Sequence, residues 1–256
     1  MEKILNTIGE AYTKEARVIL EALGAVDYRT PTQEELFEVI PNYTVCVIGL
    51  GLRFDKEVLA RATNLKAIAT ATTGLDHIDT DFAKERGIEI ISLRGENEFL
   101  DTITGTAELA WGLMIDLMRH TIPASESVKR HEWDREKFRG HNLRGATLGV
   151  VGVGRLGKMM VRWGKAFDMR VIAYDPNVDV TLHNAEEVSF EDLLLQSDVI
   201  SIHVHVTPET ENMFNADVFK KMKKTAYLIN TARGKVVDEG ALLTALEKNE
   251  IAGYAA

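Results

Sequence analysis

The chain has 256 residues, 45% hydrophobic and 27% charged, which suits a soluble globular protein of two modest domains or one large one. Its formal net charge of −9 argues against a nucleic-acid surface, and the densest basic run, residues 220–224, reads as a solvated helix end. A single cysteine, Cys46, excludes a disulfide framework; no signal-peptide layout is seen, and the best apolar run, residues 107–118, carries Glu108 and Asp116, so a cytoplasmic protein without a membrane partner is expected.

Taken in chain order, strand-like runs at 4–6, 26–28, 45–48, 65–71 and 88–92 alternate with helical spacing at 14–23, 33–40, 56–62 and 80–86. Thr13, Thr32, Asp55 and Asp79 precede those helical runs as caps. Strict alternation implies parallel strands with right-handed crossovers, so this part reads as one small doubly wound domain. A longer helix is expected over 104–120, with Ala107, Ala110, Trp111, Met114, Ile115 and Met118 on its apolar side and Pro123 closing it. Residues 125–144 are polar, and Trp133 and Phe138 stand out there as apolar anchors for an interface or for local packing. Strands follow at 147–151, 170–174, 199–206 and 225–230, with another beginning at 251. The expected fold class is therefore α/β, with two doubly wound parallel-sheet domains at 1–101 and 102–256 and a ligand cleft between them.

The most informative stretch is 147–157, where an apolar strand runs into Gly152-Val153-Gly154-Arg155-Leu156-Gly157 and then a helix. Gly152 permits the tight turn, Gly154 lets backbone approach a pyrophosphate, and Gly157 lets helix and strand pack closely. The free N–H groups around Arg155 and Leu156 would receive the phosphates. A second strand ends at Asp175, 18 residues after Gly157, the spacing of a ribose-binding acid. No arginine follows in Tyr174-Asp175-Pro176-Asn177, so NAD is favoured over NADP. His203 and His205, two apart on an expected strand, have no cysteine or carboxylate to complete a metal set, and no metal is expected.

Several ordered motifs extend this reading: residues 197–210 (SDVISIHVHVTPET), 222–234 (MKKTAYLINTARG), Val237-Asp238-Glu239, Thr106-Ala107-Glu108, and residues 72–79 (TTGLDHID). With these the chain resembles the D-2-hydroxyacid dehydrogenases of phosphoglycerate dehydrogenase type over nearly its whole length. The resemblance implies a flavodoxin-like substrate domain and a Rossmann NAD-binding domain. It also implies hydride transfer between NAD and a D-2-hydroxy acid, phosphoglycerate-like or related. By that likeness Arg233 is catalytic, its planar fork holding the substrate carboxylate and polarising the adjacent carbonyl while also touching cofactor. Thr72, Thr73 and Gly74 become substrate-binding. Thr231 and Ala232 lie beside the nicotinamide, Val204 beside the adenosine half, and His205 and Thr210 also contact cofactor. His205 stands where the family usually has proline, and residues 93–101 lack the family's proline-glycine turn.

The family's proton transfer uses a histidine held by a glutamate, both in motifs that follow the strand beginning at Ile251. The resulting expectation is a C-terminally truncated, incomplete Rossmann domain, inactive by itself. The expected partners are a small 2-hydroxy or 2-oxo acid and a second copy of the chain, with no nucleic acid. Rival readings are a formate or phosphite dehydrogenase of the same superfamily and a non-catalytic NAD-binding protein of corepressor type.

Overall fold

A computed structural model describes the backbone of residues 1–256 and every side chain except that of Glu10. The chain forms two compact units, Met1–Leu100 and Asp101–Ala256.

In the first unit, β1 (Glu2–Asn6), α1 (Lys14–Glu21), β2 (Gly24–Tyr28), α2 (Gln33–Val39), β3 (Val45–Ile48), α3 (Lys56–Arg61), β4 (Ala67–Thr70), α4 (Thr80–Glu85) and β5 (Glu89–Ser92) follow one another. The helices begin where the sequence offers acceptors. Thr13 accepts from the Ala16 N–H, Asp55 from Glu57 and Val58, and Asp79 from Phe82. Thr32 and Glu35 make a reciprocal capping box on α2. The five parallel strands are ordered β2-β1-β3-β4-β5, the flavodoxin-like arrangement. One sheet face meets Leu36, Ile40, Val58 and Leu59, and Cys46 is buried there, its thiol pushed up to about 12 by that burial. A short helix, α5 (Asn97–Asp101), follows β5.

The second unit opens with α6 (Gly105–Arg119) and α7 (Thr121–Lys129). Here the sequence reading needs correction, because Pro123 closes nothing. His120, left-handed at φ 54, ends α6, and Pro123 lies in the first turn of α7. There its missing N–H is an orphan in any case, so proline is tolerated. The chain continues through β6 (Thr147–Val151), α8 (Arg155–Ala166), β7 (Arg170–Tyr174), β8 (Glu186–Glu187), α9 (Phe190–Gln196), β9 (Val199–Ile202), α10 (Ala216–Lys221), β10 (Tyr227–Asn230), α11 (Glu239–Glu247) and β11 (Gly253–Ala255). All neighbours are parallel, in the order β11-β10-β9-β6-β7-β8. This is a Rossmann sheet, with the reversal of strand order between β6 and β9.

Two clusters of buried side chains cover this sheet. On one face Trp111 of α6 stacks edge-on against Trp163 of α8 (centroids 5.9 Å apart) and lies 5.0 Å from Phe167. Leu193, Phe214, Phe219 and Leu242 fill the other face. At the amino ends of the strands, Asp198 accepts from the Thr147 N–H (2.8 Å) and from Lys223 (2.8 Å), which locks β6 beside β9. Among the described residues no helix is long and apolar enough to cross a membrane.

Candidate functional site

At the carboxyl end of β6 the chain turns at Gly152, whose φ of 88 suits glycine alone. A Cβ on Gly157 would sit 2.0 Å from the Gly152 carbonyl oxygen, a backbone atom that has nowhere to go. A Cβ on Gly152 would meet the His203 carbonyl oxygen at 2.7 Å and a Val204 methyl at 2.9 Å. Helix, turn and neighbouring strand end are thus pressed together by the absence of side chains. Nothing lies within 4 Å of a Cβ placed on Gly154, so that backbone is open to a ligand. Gly154 caps α8 with no side-chain acceptor, leaving N–H groups of the first turn, such as that of Leu156, to external anions. The Arg155 side chain reaches back to the Ile103 carbonyl (2.5 Å).

Asp175, one residue past β7, accepts from the Val153 N–H at 2.7 Å and from the Asn177 N–H at 2.9 Å. Its carboxylate therefore clamps the glycine turn while retaining acceptor capacity for ribose hydroxyls. Around it a cavity of about 640 Å³ is lined by residues that include Tyr174, Pro176, Val178 and Val188. This chemistry fits a dinucleotide: an open glycine backbone, an uncapped helix start and an acid beside an adenosine-sized space.

Next to this turn, the expected strand over 199–206 is corrected to β9, which stops at Ile202. His203 still donates its N–H to the Val151 carbonyl (2.7 Å), but Val204 onward leaves the sheet because β6 and β10 end at the same level. His203 Nε2 pairs with Ser201 Oγ at 2.8 Å, while its Nδ1 is buried without a partner. Burial lowers its pKa to about 4, so the ring is neutral at physiological pH. His205 is exposed. The Thr210 hydroxyl is engaged by its own loop, donating to the His205 carbonyl (2.6 Å) and accepting from the Thr207 N–H (2.8 Å).

Beyond β10 the Thr231-Ala232-Arg233 turn is shaped by Asn230, which the sequence reading passed over. Its side-chain oxygen accepts from the Ala232 N–H (3.1 Å) and its amide donates to the Arg233 carbonyl (3.0 Å). An asparagine ending a buried strand before a short turn is the signal that could have found it. Among the described residues the buried Thr231 hydroxyl oxygen has no partner, which suits a polar atom that meets a ligand. Arg233 donates from Nη1 to the Ala232 carbonyl (2.9 Å).

In the first unit, Thr72, Thr73 and Gly74 follow β4 directly. The Thr72 hydroxyl donates to the Gly74 carbonyl (2.8 Å) and lies 3.0 Å from the Thr70 hydroxyl, so the turn is braced internally. His77 is buried. Among the described residues no group of three or more His, Cys, Asp or Glu side chains is placed to hold a metal.

Comparison with known proteins agrees with this geometry. Residues 111–256 match the NAD binding domain of the D-isomer specific 2-hydroxyacid dehydrogenases. The chain is 38% identical to a D-3-phosphoglycerate dehydrogenase of Methanocaldococcus jannaschii over 256 residues, covering 98% of this chain and 48% of that one. It is 39% identical to a glycerate dehydrogenase of Methylorubrum extorquens over 231 residues, covering 88% of this chain and 70% of that one. A D-lactate dehydrogenase from Aquifex aeolicus, solved with NAD and lactic acid, superposes with a TM-score of 0.84 at 29% identity, over 98% of this chain and 75% of that one. The chain spans about half the length, 48% and 42%, of the first two phosphoglycerate dehydrogenases it matches.

Proposed function

The chain belongs to the D-isomer specific 2-hydroxyacid dehydrogenase family, and from that premise we propose that it serves NAD-dependent oxidation of a small D-2-hydroxy acid, or reduction of the matching 2-oxo acid. The observation that carries this is the glycine turn clamped by Asp175. Its cofactor is NAD, which supplies the hydride acceptor when bound.

The protein's own groups divide the work. The α8 N–H groups and the Gly154 backbone receive the pyrophosphate, and Asp175 accepts from the ribose while repelling a 2′-phosphate. Val204, His205 and the loop held by Thr210 border the adenosine half, and Thr231 and Ala232 border the nicotinamide. Arg233 directs its guanidinium to the substrate carboxylate and the C2 oxygen, where charge develops during hydride transfer. In the first unit, Thr72, Thr73 and Gly74 offer backbone N–H groups to a carboxylate. The division into a substrate domain over 1–101 and a cofactor domain over 102–256 is part of this proposal. The likenesses above lend no support to formate, phosphite or corepressor readings.

A homodimer in a cytoplasmic setting completes the proposal. Trp133 (85% exposed), Ile122 (60%) and Val128 (54%) leave apolar surface on and after α7 for a second copy. Sedimentation showing only monomer at micromolar concentration would overturn the dimer.

The test of substrate class is titration of the NADH-loaded chain with glyoxylate or hydroxypyruvate. Arg233→Lys keeps the charge but loses the fork, and should weaken binding of either 2-oxo acid by about 10- to 100-fold with NADH affinity little changed. Unaltered affinity in the variant would contradict the role given to Arg233.

A further inference from the structure

The outer face of α8 has a feature that dinucleotide binding does not use. Arg155, Lys158, Arg162 and Lys165 recur at intervals of three and four residues, and at 100° per residue they fall within about 80° of arc on one side of the helix. The opposite side is buried, through Gly157, Met160 and Gly164, while Met159 lines the edge of the cationic face. Together with Leu182, His183 and Asn184 these four cations line a concavity of about 540 Å³, with Asp101 as its one acid.

Two observations set this face apart from an ordinary solvated helix surface. Lys158, Arg162 and Lys165 form no salt bridge or hydrogen bond among the described residues, although the chain as a whole carries −9. Nearby Glu186 is already committed to Arg170 through bonds of 3.0 and 2.7 Å. The first turn of α8 also contains no acid, so Lys158 sits where the helix dipole repels a cation, whereas Arg155 is held by the Ile103 carbonyl. A local rule broken without an internal partner points to an external one.

We propose that this face of α8 is a second anion site, separate from the glycine turn, for a small ligand bearing two or more phosphate groups in series. Cationic side chains about 5–6 Å apart along the helix can engage successive phosphates, and the whole stripe is only about 15 Å long. The concavity favours a compact ligand, and the acidic remainder of the chain repels a long polyanion such as nucleic acid.

The experiment is calorimetric titration of the chain with inorganic tripolyphosphate at low salt, beside a variant carrying Lys158→Gln, Arg162→Gln and Lys165→Gln. Glutamine has similar helix propensity, all three positions are exposed, and Arg155 is left in place. The expected result is saturable binding that weakens by about 30-fold or more in the variant, with thermal midpoint and NADH affinity little changed. A parallel titration with a nucleoside triphosphate separates the sources: tighter binding than tripolyphosphate assigns an organic ligand, equal binding an inorganic one. Absence of binding, or equal binding by the variant, overturns the proposal whether or not NADH binds. Tighter binding of a DNA oligomer than of tripolyphosphate would overturn the assignment to a small ligand.

Discussion

The turn after β6 and the turn after β4 both leave the carboxyl end of an interior parallel strand, yet they are held in opposite ways. After β6 the backbone is fixed by missing side chains: Gly157 leaves no room above the Gly152 carbonyl, and Asp175 grips the Val153 N–H from the next strand. After β4 the backbone is fixed by present ones, with the Thr72 hydroxyl tying its own turn to Gly74. The first arrangement ties down the Gly152 and Val153 N–H groups and leaves the Gly154 backbone open, as a phosphate site requires. The second spends its hydroxyls on internal bracing and leaves binding to its backbone.

Substitutions in the two turns should have unequal consequences. Gly157→Val forces a Cβ into a backbone oxygen, and should destabilise the second unit by about 3 kcal/mol and abolish measurable NADH binding. Thr72→Val removes side-chain hydrogen bonds worth about 1 kcal/mol and should leave NADH affinity untouched. Thermal unfolding and NADH fluorescence on both variants read the contrast; equal losses of NADH binding would erase it.

His203 makes stability depend on pH. Its pKa falls from 6.5 in the unfolded chain to about 4 when buried, so between those values the unfolded state binds more protons. The associated stability is complete above about pH 6.5 and is lost as pH falls toward 4, on the order of 3 kcal/mol in all. His203→Asn should remove that share of the slope between pH 6.5 and 4, leaving what the carboxylates contribute. Stability curves of identical slope would show that the ring is not buried as described.

A smaller effect with two signs is expected at Thr231. Its hydroxyl is buried and unsatisfied, so Thr231→Val should leave the ligand-free protein as stable or about 1 kcal/mol more stable. NADH affinity should fall in the same variant. Loss of stability without loss of affinity would mean that the hydroxyl serves the fold alone.

These contrasts explain what could be read in advance. Gly152, Gly154, Gly157 and Asp175 were legible because close backbone approach admits few residue types, and their spacing records it. The caps at Thr13, Thr32, Asp55 and Asp79 were legible for a similar reason, since helix starts need acceptors. The end of β9 at Ile202 was not, because alternation continues in sequence through Val206 after the neighbouring strands have stopped. Nor was α7, whose proline reads as a stop unless the left-handed His120 just before it is known. Asn230 escaped because a buried asparagine declares its role only once the turn it bridges has been built. Thr72 to Gly74 stayed ambiguous because hydroxyl-braced turns occur with and without ligands.

Binding of NAD by the second unit through the Asp175-clamped glycine turn is read by calorimetric titration of the chain with NADH, beside Asp175→Ala. The expected result is saturable binding that weakens by about 30-fold in the variant, near 2 kcal/mol for an ionic acceptor lost. No binding by the unaltered chain, or equal binding by both, would contradict it.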